Sequence, residues 1–172
     1  MDYRRLKYIK NVNNLNNPEN WAYNKQDSGE NRLLIGDEFR LNFRTDIKTA
    51  EEVKKHTLKL PKGSLIILSQ RPLKKERFVT HVVELVNESS EDKCQWESGE
   101  WGIFRWVKVH RIANFDDPAS IPVYKKVMQE TWVQQGTMTA SLENCKRFMS
   151  QWGNIDNLRT HLKKELNTYL MK

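Results

Sequence analysis

The run Leu65-Ile66-Ile67-Leu68 is the longest apolar stretch of the chain and predicts a fully buried β-strand. A turn, Leu60-Pro61-Lys62-Gly63-Ser64, leads into it. Residues 78–86, Phe-Val-Thr-His-Val-Val-Glu-Leu-Val, are rich in β-branched side chains and predict another strand. Residues 71–77 connect the two segments. Strands are therefore expected in the middle of the chain.

Patterns on both sides of this stretch extend the strand-rich region. Residues 39–44 alternate strictly between apolar and polar side chains, as a half-buried strand does. Residues 101–112 predict a long strand, and residues 2–12 predict a first one. A capping box over residues 49–52 predicts a short helix that ends near Thr57.

Helical patterns dominate the last third of the chain. Residues 121–132 predict one or two short helical turns, and residues 141–152 and 154–170 predict two amphipathic helices. Strands in the middle and helices at the end predict an α+β fold. We expect a small barrel or strongly curved mixed sheet, flanked by helices, with the two amphipathic helices at its carboxyl end.

Length, charge and cysteine content restrict the class of protein. A chain of 172 residues suits one domain, and its net charge of +7, from 29 Lys and Arg against 22 Asp and Glu, favours an anionic partner. An apolar run of four residues is too short to span a bilayer, and the amino terminus lacks the apolar stretch of a signal peptide. Cys94 and Cys145 lie far apart. These features predict a reduced, cytoplasmic protein without a membrane partner.

Recognisable catalytic and cofactor motifs are missing from the sequence. The four histidines lie far apart, and there is no Cys-x-x-Cys pair, nucleophile elbow or phosphate-binding glycine loop. The acidic clusters Glu91-Asp92-Lys93 and Glu52-Val53-Lys54 are interpreted as a polar loop and a solvated helix face. The sequence therefore predicts a protein that is not an enzyme and that has no metal and no cofactor.

Aromatic residues crowd the segment that contains the last long strand. Strand alternation directs Phe104, Trp106, Lys108 and His110 to one face and Ile103, Val107 and Val109 to the other. Flat rings beside cations suit stacking on bases next to phosphates. The alternative is that Phe104 and Trp106 pack beneath the carboxyl-terminal helices.

The connection over residues 71–77 is strongly basic. It contains four cations, Arg71, Lys74, Lys75 and Arg77, against one carboxylate, Glu76. Such a loop between two strands can bind a nucleic-acid backbone. It can equally be a solvated hairpin tip whose lysines protect a sheet edge.

Several of these elements follow one another in a familiar order. Asn17-Pro18-Glu19-Asn20-Trp21 comes early, and the Leu60–Gly63 turn leads into an apolar strand that ends near Ser69. The basic connection, the strand over 78–86 and the Trp-containing strand over 101–112 follow. This series resembles the PUA-like superfamily, and most closely its EVE and YTH domains and the recognition domains of modification-dependent restriction systems.

The resemblance implies a PUA-like β-barrel over residues 1–113, with a helical extension over residues 114–172 packed on the same domain. Relatives of this kind hold a modified or flipped base in an aromatic-walled pocket. The implied pocket residues are Asn20, Trp21, Ser69, Trp101 and Trp106, with Trp96 as a further candidate. The implied phosphate-binding residues are Arg71, Lys74, Lys75 and Arg77. The expected partners are DNA or RNA, modified or unmodified, and a separate effector protein.

Another class of function stays open at this point. The amphipathic carboxyl-terminal helices could form the docking surface of a protein-interaction or inhibitor module. A small enzyme with an unrecognised site is the third possibility. The salt dependence of binding distinguishes a nucleic-acid-binding protein from a protein-docking module, because binding through phosphates weakens steeply as the salt concentration rises.

Overall fold

A single mixed sheet organises the molecule. The computed structural model describes residues 1–14, 17–26, 29, 31–43, 50–72, 76–92, 103–131 and 138–171. Its strands are β1 (Leu6–Val12), β2 (Glu38–Phe43), β3 (Leu65–Gln70), β4 (Phe78–Leu85), β5 (Ile103–Ile112) and β6 (Thr139–Ser141). They are arranged in the order β2-β5-β4-β3-β1-β6, and the sheet is curled into a half-barrel. The α+β class is confirmed.

The directions of the strands determine which strand ends lie side by side. β1 and β3 are parallel, with Val12 opposite Gln70, whereas β3–β4, β4–β5, β2–β5 and β1–β6 are antiparallel. The carboxyl ends of β1 and β3 therefore lie at the same edge of the sheet. β4 begins at this edge, because Phe78 is opposite Gln70.

One face of the sheet packs against the helix α1 (Ala50–Leu58) through buried side chains such as Phe39, Leu68 and Val53. The predicted helix over residues 49–57 is thus found, and Thr49 lies outside the described residues. Two buried basic side chains, Lys10 and Arg105, lie on this face. Arg105 binds the Asp92 carboxylate at 2.5 Å and the carbonyl oxygens of Thr57, Leu60 and Asn87.

The opposite face of the sheet is covered by carboxyl-terminal helices. These are α2 (Tyr124–Met128), α3 (Lys146–Trp152) and α4 (Ile155–Tyr169). Asn154 caps α4 by accepting hydrogen bonds from the main-chain N–H groups of residues 156 and 157. The α4 stripe of Leu158, Leu162 and Leu166 is fully buried in the same core as β1 and β3. These leucines are therefore unavailable as a docking surface.

Two predicted elements differ from the observed ones. Tyr3–Arg5 forms a 3-10 turn, capped by the Asp2 carboxylate, before β1 begins. The helix predicted over residues 141–152 begins only at Lys146, because the chain through Ser141 pairs with β1 as an edge strand. In the described part of the chain, no helix has both the length and the apolar character needed to cross a bilayer.

Candidate functional site

A cavity of about 350 Å³ opens at the sheet edge where β1 and β3 end. The residues that follow the two strands, the loop over residues 17–20 and the residue before β4 all meet there. Its lining consists of Asn13, Asn14, Pro18, Asn20, Gln70, Arg71, Pro72 and Arg77. Its size lies near the lower limit of small-molecule sites.

A buried polar network holds the loop that bears Asn20. The Gln70 side chain accepts a hydrogen bond from Ala22 N–H at 2.7 Å and donates to Ala22 O at 2.9 Å. Gln70 also donates to the Thr80 hydroxyl at 2.8 Å. The loop therefore sits at a fixed position over the end of β3.

His81 extends this network to the next residue of the loop. Its Nε2 lies 2.9 Å from Tyr23 O and its Nδ1 lies 2.9 Å from the Thr80 hydroxyl. Because a carbonyl only accepts, Nε2 carries a proton, and burial lowers the His81 pKa to about 4, so the ring is neutral above that pH. Tyr23 adopts a left-handed conformation with φ of 54°, and this bond helps to hold it there.

Arg77 is anchored from the opposite side of the cavity. Its Nη1 donates to Asn11 Oδ1 at 2.9 Å and lies 3.4 Å from Ser69 Oγ, which itself donates to Asn11 Oδ1 at 2.6 Å. Burial lowers the pKa of the Arg77 guanidinium; Tyr124 opposes this change, and the charge of Arg71 adds to it. Burial and the charge of Arg71 both disfavour the charged form of Arg77. An electron-rich ligand group beside the guanidinium offsets both effects.

The chemistry of the lining favours a neutral or anionic ligand rich in hydrogen-bonding groups. None of the eight described lining side chains carries a carboxylate, two are arginines and four are carboxamides. Carboxamides both donate and accept, so those of Asn13, Asn14 and Asn20 can recognise the polar edge of a heterocycle, whereas the Gln70 carboxamide is already bonded to Ala22 and Thr80. Pro18 and Pro72 add apolar surface on which a flat ring can pack.

Comparison of the chain with known protein families, with curated proteins and with solved structures finds no match.

Three of the residues predicted for the site line this cavity: Asn20, Arg71 and Arg77. Trp21 lies next to Asn20, but its half-buried indole packs against Phe78 and Phe115, each with ring centroids 5.5 Å away. It is absent from the described lining, which contains no aromatic side chain, so the aromatic walls implied by the resemblance are not found among the described residues of this cavity. Ser69 is fully buried and supports Arg77, so its predicted place at the rim is not where the structure puts its side chain.

Trp106 lies at the other end of the sheet. Its carbonyl accepts a hydrogen bond from Val86 N–H, nine residues beyond Arg77 along β4. At about 3.3 Å per residue, these positions are at most about 30 Å apart along the strand, and Trp106 is not among the described lining residues. Trp106 is therefore not a wall of this cavity. Trp96, Trp101, Lys74 and Lys75 fall outside the described residues.

Trp106 belongs to a separate aromatic and basic face, as strand alternation predicted. Phe104 contacts it edge to face with ring centroids 6.1 Å apart, and the Arg40 guanidinium lies 5.8 Å from the Phe104 ring. Lys108 is exposed on the same face, and Glu38 lies opposite it in β2. This face is spatially distinct from the cavity.

Several residues of the site carry no recognisable sequence signal. Asn13, Asn14 and Gln70 were not among the residues that the sequence patterns singled out. The pairing of β1 with β3 brings them together. Among the described residues, no group of three or more His, Cys, Asp or Glu side chains is arranged to hold a metal ion.

Proposed function

We propose that this protein is a nucleic-acid-binding protein of the PUA-like superfamily, of EVE or YTH type, that holds a modified or flipped base in the cavity at the ends of β1 and β3. The observation that carries the proposal is the composition of that cavity, with two arginines, four carboxamides and no carboxylate among its described lining side chains. Asn20, which the family resemblance implied, is one of them.

The energetics of base recognition agree with such a lining. Extruding a base costs a few kcal/mol, and a pocket must offset this through contacts to its edge and faces. Carboxamides at Asn13 and Asn20 provide donors and acceptors for the edge, and Pro18 and Pro72 provide apolar contact. The fixed position of the loop lowers the entropy lost on binding.

Phosphate contacts supply the rest of the affinity in this proposal. Arg71 is exposed at the cavity mouth, and the positive net charge of the chain attracts a polyanion. In this proposal the protein binds DNA or RNA without catalysing a reaction. A separate effector protein responds to the bound complex. A docking role for the carboxyl-terminal helices is less favoured, because the apolar stripe of α4 is buried.

A binding screen tests the proposal. Fluorescence anisotropy with modified and unmodified oligonucleotides, single- and double-stranded, is recorded at two salt concentrations. Arg71→Gln should weaken binding and reduce the slope of log K against log salt by about one. Lys164→Gln removes the same charge from an exposed position of α4 and should leave the affinity and the slope nearly unchanged. Equal effects of the two variants, or no binding of any oligonucleotide, would contradict the proposal.

A further inference from the structure

The guanidinium of Arg77 is held in one orientation by a partner on the adjacent strands. Asn11 Oδ1 accepts from Arg77 Nη1 and also from Ser69 Oγ, and both Asn11 and Ser69 belong to strands of the sheet. Ser69 is fully buried and donates to Asn11 Oδ1, so it helps to fix the position of the carboxamide that binds the guanidinium. A guanidinium fixed in this way loses little conformational entropy when a ligand binds.

This anchoring leaves one edge of the guanidinium for a ligand. Nη1 lies on the Cδ side of the group, so the Nε–H and Nη2–H bonds form the parallel donor pair along the opposite edge. Among the described residues, Nε and Nη2 donate no hydrogen bond, whereas Nη1 donates to Asn11 and Ser69. Arg77 lines the cavity, and Nε and Nη2 are the guanidinium nitrogens that Asn11 and Ser69 do not engage.

A parallel donor pair selects ligands with two acceptors on one planar edge. In nucleic acids these acceptors are the O6 and N7 atoms of guanine or two oxygens of a phosphate. Carboxamides and the two prolines line the cavity beside Arg77, and a flat heterocycle uses both kinds of surface. A compact oxyanion gains nothing from the proline faces.

We propose that Arg77 is the specificity-determining residue of the cavity and that it binds the O6 and N7 edge of a guanine-type base. This inference rests on the proposed nucleic-acid-binding function and names the base class that the cavity takes. Asn11 and Ser69 are positioning residues, because they act through the guanidinium.

The test uses base analogues with the unaltered protein. Short single-stranded thymidine oligonucleotides carry one central guanine, hypoxanthine, 7-deazaguanine or 2-aminopurine, and their affinities are compared by fluorescence anisotropy. Guanine and hypoxanthine, which keep O6 and N7, should bind alike. The analogues that lack N7 or O6 should bind roughly tenfold more weakly. Equal affinity for all four would overturn the inference.

A variant pair assigns the preference to Arg77. Arg77→Lys keeps the charge but removes the parallel donor pair, so it should abolish the discrimination among the four bases. Arg147→Lys, at an exposed position of α3 outside the cavity, is the matched control and should retain it. A uniform loss for all four bases in Arg77→Lys, together with competition by inorganic phosphate, would identify a phosphate contact and refute the inference while leaving the proposed function intact. Absence of binding to all oligonucleotides would refute the proposed function itself.

Discussion

The side chain of Gln70 forms two hydrogen bonds with the main chain of Ala22, one to its N–H at 2.7 Å and one to its carbonyl oxygen at 2.9 Å. The two residues are 48 positions apart in the sequence, and both are buried. This contact joins the end of a central strand to the loop that bears Asn20. The geometry of the cavity therefore depends on a residue that also lines it.

Gln70→Ala should destabilise the protein and weaken ligand binding together. It leaves the buried N–H and C=O of Ala22 without partners, which costs roughly 2–4 kcal/mol of unfolding free energy. Urea denaturation measures this loss. Gln151→Ala, at an exposed position of α3, is the control and should change stability by less than about 0.5 kcal/mol. Equal free energies of unfolding for the two variants would show that the hydrogen bonds between Gln70 and Ala22 do not stabilise the fold.

His81 predicts acid sensitivity of the fold. Its pKa is about 4 in the folded protein against an ordinary value of 6.5, so between these pH values the unfolded chain binds a proton that the folded chain lacks. The free energy of unfolding should therefore fall as the pH decreases through this window, by up to about 3 kcal/mol. Urea denaturation of the wild type and of His81→Gln across the window isolates this contribution, because their carboxylates are the same. If the free energy of unfolding of the two proteins changes with pH in the same way, the lowered pKa of His81 is contradicted.

Lys10 predicts a rise in stability on the alkaline side. It is fully buried with its Nζ 4.2 Å from the Phe43 ring centroid, and burial lowers its pKa from 10.5 to about 7. Between these values the unfolded chain binds more protons, so the free energy of unfolding should increase with pH.

Lys10→Met should raise the free energy of unfolding at neutral pH by about 2–4 kcal/mol. It should also remove the increase of this free energy above neutral pH. Thermal unfolding at several pH values measures both effects. Lys55→Met, at an exposed site of α1, is the control. A wild-type stability that is flat above neutral pH would be inconsistent with a buried, neutral Lys10.

Substitutions of Asn20 and of Trp106 should have different effects on the affinity for a nucleotide ligand. Asn20→Ala removes a lining carboxamide and should weaken nucleotide binding by about 1 kcal/mol, close to fivefold. Trp106→Ala lies at the other end of the sheet and should leave the affinity of the cavity unchanged, while the lost contact with Phe104 lowers stability. Isothermal titration with a short guanine-containing oligonucleotide compares the two. A larger loss in Trp106→Ala would move the site to the aromatic face of β5.

Local patterns predicted most of the strands and the last helix. The alternation over residues 39–44 corresponds to β2, and the apolar run at Leu65 corresponds to β3. β6 was missed because three residues are too few for a periodic signal, and its pairing with β1 is a tertiary effect. The same pairing explains why the helix predicted from Ser141 begins at Lys146.

The candidate site was only partly predictable. Strand alternation correctly directs Trp106 and Phe104 to one face of β5, but it contains no information on which end of the sheet lies beside the Asn20 loop. No local pattern marks Gln70, because its role depends on a contact with a residue 48 positions away in the sequence. The parallel pairing of β1 with β3, which creates the cavity edge, is likewise invisible in local periodicity.

Nuclear magnetic resonance tests the central claim most directly, because it reports which side chains sense the ligand. Isotope-labelled protein is titrated with a short guanine-containing single strand, and the Arg77 Nε–H signal and the carboxamide signals of Asn13 and Asn20 are followed. Saturable shifts of these signals, with the Trp106 indole signal unchanged, are the predicted result. Shifts confined to the aromatic face or the helices, with Arg77 and Asn20 unaffected, would contradict base binding in this cavity.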